Sequence, residues 1–76
     1  MAQKADLVDW VEHSLRELGG EGTVVEVARQ IWKDHEDDLR VSGELFYTWQ
    51  YDMRWAAQSL RSKGRAALSG RKWVLK

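Results

Sequence analysis

Glu44-Leu45-Phe46-Tyr47-Thr48-Trp49-Gln50-Tyr51-Asp52-Met53-Arg54-Trp55-Ala56-Ala57-Gln58-Ser59-Leu60-Arg61-Ser62-Lys63-Gly64, together with the twelve residues that follow it to Lys76, decides the fold. Advancing about 100° per residue, Phe46, Trp49, Met53, Ala56, Ala57 and Leu60 fall within one arc of a helical wheel, so residues 44–63 predict the longest helix of the chain, closed at Gly64. Tyr47, Tyr51, Trp55 and Gln58 fall on the opposite side, with Arg54 and Arg61 on one flank. A helix that shows aromatic rings on its far face has a second surface to cover. Beyond Gly64 the period changes to two. Ala66 and Leu68 precede a Ser69-Gly70-Arg71-Lys72 turn, after which Trp73 and Leu75 share one face and Val74 takes the other. That pattern predicts a two-stranded hairpin with a basic tip.

Upstream, Leu7, Val8, Val11, Leu15 and Leu18 recur at steps of three and four and predict a first helix over Asp6–Leu18. Asp6 and Asp9 favour its N-terminus, Arg16 its last turn, and Gly19-Gly20 a left-handed stop. Thr23-Val24-Val25-Glu26 reads as a capping box opening a second helix through Val27, Ala28, Ile31 and Trp32, with an end expected near His35, where Glu36-Asp37-Asp38 breaks the apolar pattern. Gly22-Thr23-Val24 can alternatively pair as a short strand with a later hairpin. Ser42-Gly43 marks a turn before the third helix. Three helices followed by a hairpin, mainly α with a small C-terminal β-hairpin, is the order of a winged helix-turn-helix: a three-helix core plus wing. A chain of 76 residues supports one such core across residues 1–76, since a domain of this size buries only about 60% of its unfolded surface.

The formal net charge of zero conceals a division. Residues 1–38 carry four basic and ten acidic groups, and residues 39–76 carry eight basic and two acidic, so the halves stand at −6 and +6. Such segregation points to an anionic partner, or to a protein partner or second copy in which acidic and basic halves meet. The absence of cysteine removes disulfides and thiolate metal sites and fits a reducing, cytoplasmic address. No stretch approaches about 18 apolar residues, so no membrane span is expected.

Trp49-Gln50-Tyr51-Asp52-Met53-Arg54-Trp55-Ala56-Ala57-Gln58, then Leu60-Arg61 and Lys63-Gly64, and finally Gly70-Arg71-Lys72-Trp73-Val74-Leu75 resemble the winged-helix domain at the N-terminus of Mrr-like restriction endonucleases and its small stand-alone relatives. The resemblance covers roughly residues 23–76. It implies an Arg-Trp-Ala segment on the third helix and a Gly-x-Trp strand closing the wing. The nuclease domain of the restriction enzymes has no counterpart in these 76 residues, so the resemblance implies no cleavage activity.

On this fold Tyr47, Tyr51, Arg54, Gln58 and Arg61 are the expected contacts to base edges, because arginine and glutamine make paired hydrogen bonds to guanine and adenine. Lys63, Arg65, Arg71 and Lys72 suit phosphates of double-stranded DNA, where affinity follows released counterions. The competing expectations are that Arg54 neutralises an acid of the N-terminal half, that the tyrosines pack under the wing, and that the hairpin is merely solvated. Asp52 on the same helix repels phosphate. Trp10, Trp32, Trp49 and Trp73 read as core bulk. Trp55 opposes Met53 on the wheel and either packs on helix one or the wing or marks a contact surface, with the Arg-Trp-Ala resemblance favouring packing. His13 and His35 read as solvated surface, and no catalytic constellation, cofactor loop or metal-ligand spacing stands out, so no enzyme is expected.

Overall fold

The computed structural model describes residues 2–76. Its elements are α1 (Asp6–Glu17), β1 (Glu21–Thr23), α2 (Val24–Arg40), α3 (Leu45–Ser62), β2 (Ala66–Ser69) and β3 (Lys72–Leu75). The strands form one antiparallel sheet of order β1-β3-β2. This is the winged helix-turn-helix arrangement, with α2 and α3 joined by residues 41–44 and the β2–β3 hairpin as the wing.

The helix ends are written locally. α1 closes with Gly19 at φ +90°, the Gly19 amide donating to the Arg16 carbonyl (3.1 Å) and the Gly20 amide to the Leu15 carbonyl (2.7 Å). α3 repeats the device, with Gly64 donating to Arg61 and Arg65 to Leu60. Both are Schellman closures, which satisfy carbonyls a helix end would otherwise strand. Thr23 caps α2: its Oγ1 accepts from the Glu26 amide (3.2 Å) while the Glu26 carboxylate accepts from the Thr23 amide (2.9 Å), a complete capping box. Those bonds hold the Glu26 carboxyl below its ordinary 4.5. The residues that end β1 thus also start α2. The strand pairing left open by the sequence is realised as Glu21–Thr23, with Gly22 opposite Trp73.

The core lies between the three helices and the sheet. Leu7, Val11 and Leu15 of α1, Val27 and Ile31 of α2, and Ala56 and Leu60 of α3 are wholly buried, joined by Trp49, Met53, Ala57 and Trp73 at its margin. At about 25 cal/mol per Å² of apolar surface removed from water, these contacts supply the main force holding the wing on the helices.

The structure corrects or refines several expectations. α2 is broken near His35, as expected, but not ended there: that residue has a non-helical backbone (φ −130°, ψ 18°), and the helix resumes to Arg40, because Leu39 still has a core to enter and Arg40 bridges back to Glu36 at 2.7 Å. Nor is His35 plain solvated surface. Its ring lies flat on Trp10, centroids 3.9 Å apart and planes 4° from parallel, and burial pushes its pKa below the ordinary 6.5. Trp10 and Trp32 are half-buried and pack against the edge of the core, as structural bulk there rather than at its centre. Leu68 is 51% exposed, since the hairpin leaves the helical body after Ala66. Phe46 sits half-buried at the end of its arc, and the adjacent Leu45 takes the buried place.

Candidate nucleic-acid interface

α3 buries Leu45, Trp49, Met53, Ala56, Ala57 and Leu60 on one side. The side turned away carries Tyr47, Tyr51, Arg54, Gln58 and Arg61, spaced 4-3-4-3, and all five are exposed. At 1.5 Å per residue the stripe is about 21 Å long, two phenols and two guanidinium groups flanking one amide. Tyr47 and Tyr51 are 84% and 78% exposed, so neither packs under the wing. Asp52, the acid that would oppose an anionic partner, is on another side, roughly 140° round the helix from the stripe, and accepts a hydrogen bond from the Thr48 hydroxyl at 2.8 Å.

The cations separate into two groups. Arg65 Nη2 lies 2.8 and 2.7 Å from the two oxygens of Glu12, whose side chain is almost buried on α1 and also has Arg16 at 3.7 Å. Lys72 reaches Glu21 of the neighbouring strand at 3.3 Å, with both side chains half exposed. The neutralisation considered for Arg54 therefore occurs at Arg65 instead, because the Schellman turn at Gly64 reverses the chain and delivers residue 65 to α1. Arg54, Arg61, Lys63 and Arg71 have no ion-pair partner among the described residues. Lys63 is the C-cap of α3 at the point where the wing departs, and Arg71 stands at its tip. Gly70, at φ +62°, is the first residue of the two-residue turn that holds Arg71 out; a primed turn of this kind matches the twist of the paired strands.

Trp55 is 42% exposed. The Lys4 ammonium covers its ring at 4.6 Å from the centroid, and the chain before α1 is itself anchored by the Ala2 amide donating to Ser42 Oγ. The sequence reading missed Arg29 and Lys33. Both are exposed on α2 and, with Arg54, line the groove between α2 and α3. Their step of four on the face bordering α3 was the available signal, but they lay in the half of the chain counted as acidic.

No helix among the described residues is long and apolar enough to cross a membrane. Comparison with protein-family models, with characterised proteins and with solved structures returns no significant match, so the architecture itself is what relates this chain to other winged-helix domains.

Proposed function

We propose that this domain binds double-stranded DNA, with α3 entering the major groove and the wing lying along the phosphate backbone. The observation that carries the reading is the acid-free stripe Tyr47, Tyr51, Arg54, Gln58 and Arg61 on the exposed side of α3. A major groove about 12 Å wide admits a helix, and arginine and glutamine are the side chains that pair with base edges there. Lys63, Arg71 and Lys72 supply phosphate contacts, while Arg65 serves the fold through Glu12. The resemblance of residues 23–76 to the N-terminal domain of Mrr-like endonucleases supports the same role, as a small regulator or an accessory specificity module without a catalytic step of its own. The rival reading, association through opposite halves, is weakened by the pairing of Glu12 with Arg65 and Glu21 with Lys72 inside one molecule.

The deciding experiment is an NMR titration of labelled protein with a generic 20-base-pair duplex at low and moderate salt. Shifts at Tyr47, Arg54, Arg61 and Arg71 that fade with salt support the reading. Signals that stay in place at low salt, with linewidths that grow with protein concentration, would replace it with self-association.

A further inference from the structure

Between α2 and α3 runs an open groove of about 640 Å³. Two turns of each helix form its walls, a run of about 12 Å. The floor is aromatic: Trp32 stacks on Trp49 (centroids 6.0 Å apart, 9° from parallel) and Phe46 leans against Trp32 at 6.4 Å. Val25 stands 58% exposed at one end. The charged residues of the lining are Arg29, Lys33 and Arg54, all cationic and none with an ion-pair partner among the described residues. In a chain with as many acids as bases, a lining whose charged residues are all cations, around half-exposed tryptophan and phenylalanine, fits an occupant that is apolar and anionic together.

We propose that this groove docks an acidic amphipathic peptide segment of a partner protein. Apolar side chains one helical turn apart lie over Val25, Trp32 and Phe46, and the intervening carboxylates meet Arg29, Lys33 and Arg54. The other occupants fit less well. A DNA duplex brings phosphates but no apolar surface for this floor to cover. A second copy of the chain brings acids, yet most apolar residues beside them, such as Leu7, Val11 and Leu39, are wholly buried in its own core, and Val41, 60% exposed, offers only a single small side chain. The inference does not rest on the DNA reading. Because Arg54 belongs both to the groove and to the exposed stripe, the two ligands compete where both bind.

The test uses the full chain, labelled with ¹⁵N, and a synthetic tryptophan-free helical peptide carrying Leu and Phe at i, i+4 and i+7 with Glu elsewhere, against a control with every Glu replaced by Lys. Saturable shifts at Val25, Ala28, Phe46 and the Trp32 indole N–H are expected, with the Lys control at least about tenfold weaker. The double variant Arg29→Gln, Lys33→Gln should weaken the acidic peptide about tenfold, since it removes two exposed ion pairs with the peptide, and should leave thermal stability unchanged because both side chains are exposed. Absence of groove shifts, equal binding of the Lys peptide, or unaltered affinity in the double variant overturns the proposal. So does movement of the same floor signals by the duplex, which would assign the groove to nucleic acid, or by protein concentration alone, which would assign it to a second copy. Groove shifts with the peptide, alongside a duplex titration that leaves the α3 stripe untouched, would retain this site and remove the DNA reading.

Discussion

The division of cations into paired and unpaired groups makes the salt dependence of DNA binding a quantitative test. Four cations of the proposed interface, Arg54, Arg61, Lys63 and Arg71, have no carboxylate partner, and Lys72 has only a half-exposed one. Counterion release gives a slope of about −0.9 per neutralised phosphate in log K against log salt, so the two unpaired phosphate contacts, Lys63 and Arg71, predict about −1.8, and about −2.7 if Lys72 is counted in full, while Arg54 and Arg61 are directed to base edges. Raising salt fourfold, from about 50 to 200 mM, then weakens binding by about 12- to 40-fold. Arg71→Gln removes one contact at the wing tip, which reduces the slope by about 0.9. Arg65→Gln behaves differently. Its guanidinium is committed to Glu12, so the slope stays, while the nearly buried carboxylate loses its close partner and stability falls. Fluorescence anisotropy with a labelled duplex at five or six salt concentrations gives the slopes, and thermal melts give the stability. Equal slope changes in the two variants would refute the assignment of Arg65 to the fold and of Arg71 to the interface.

Three further outcomes follow from the local geometry. Thr23→Ala removes one half of the capping box; it should cost about 1 kcal/mol, lower the melting temperature by about 4–8 °C, and let the Glu26 carboxyl rise toward 4.5 in an NMR pH titration. Gly22→Ala would set a methyl 2.8 Å from Leu18 Cδ1, but that atom is the free end of a half-buried side chain, so a loss of about 1 kcal/mol by chemical denaturation is expected, at the low end for overpacking. His35, whose pKa is lowered first by burial, is neutral in the folded chain over a range where the unfolded chain protonates it; stability is therefore full above about pH 6.5 and declines as pH falls below it. His35→Phe keeps a ring on Trp10 without the proton, and should lose less melting temperature than the parent between pH 7.5 and 5.5. Equal losses would show that His35 is not the group responsible.

Most of the fold is legible in the sequence because its boundaries rest on short-range chemistry. The Gly19-Gly20 and Gly64 closures, the Thr23–Glu26 box and the Gly70 turn each depend on residues within a few positions of one another. What was not legible depends on contacts distant in sequence. The continuation of α2 past His35 needs Leu39 to find a core built by other elements, and its acidic run would otherwise end the helix. The stacking of His35 on Trp10 joins two helices whose separate patterns mark neither residue. The stripe on α3 was readable from its spacing, whereas the withdrawal of Arg65 to Glu12 spans 53 residues and has no local signature.

The same long-range pairing explains how a chain of zero net charge can present a basic surface. An anionic partner responds to charge within about one Debye length, roughly 8 Å at physiological ionic strength, and not to the total. Arg65 and Lys72 are balanced by Glu12 and Glu21, and Arg40 by Glu36, within the molecule. The acids Asp37 and Asp38 lie past the break at His35, near the C-terminal end of α2 and away from Arg29, whereas Lys33 borders both them and the groove. Arg29, Lys33 and Arg54 line one groove without an acid among its charged residues, and Arg54 is shared with the stripe on α3. Pairing takes Arg65 out of the proposed interface that the sequence assigns it and leaves Arg54 at the boundary of the two proposed surfaces, where a single side chain would make nucleic acid and an acidic peptide mutually exclusive.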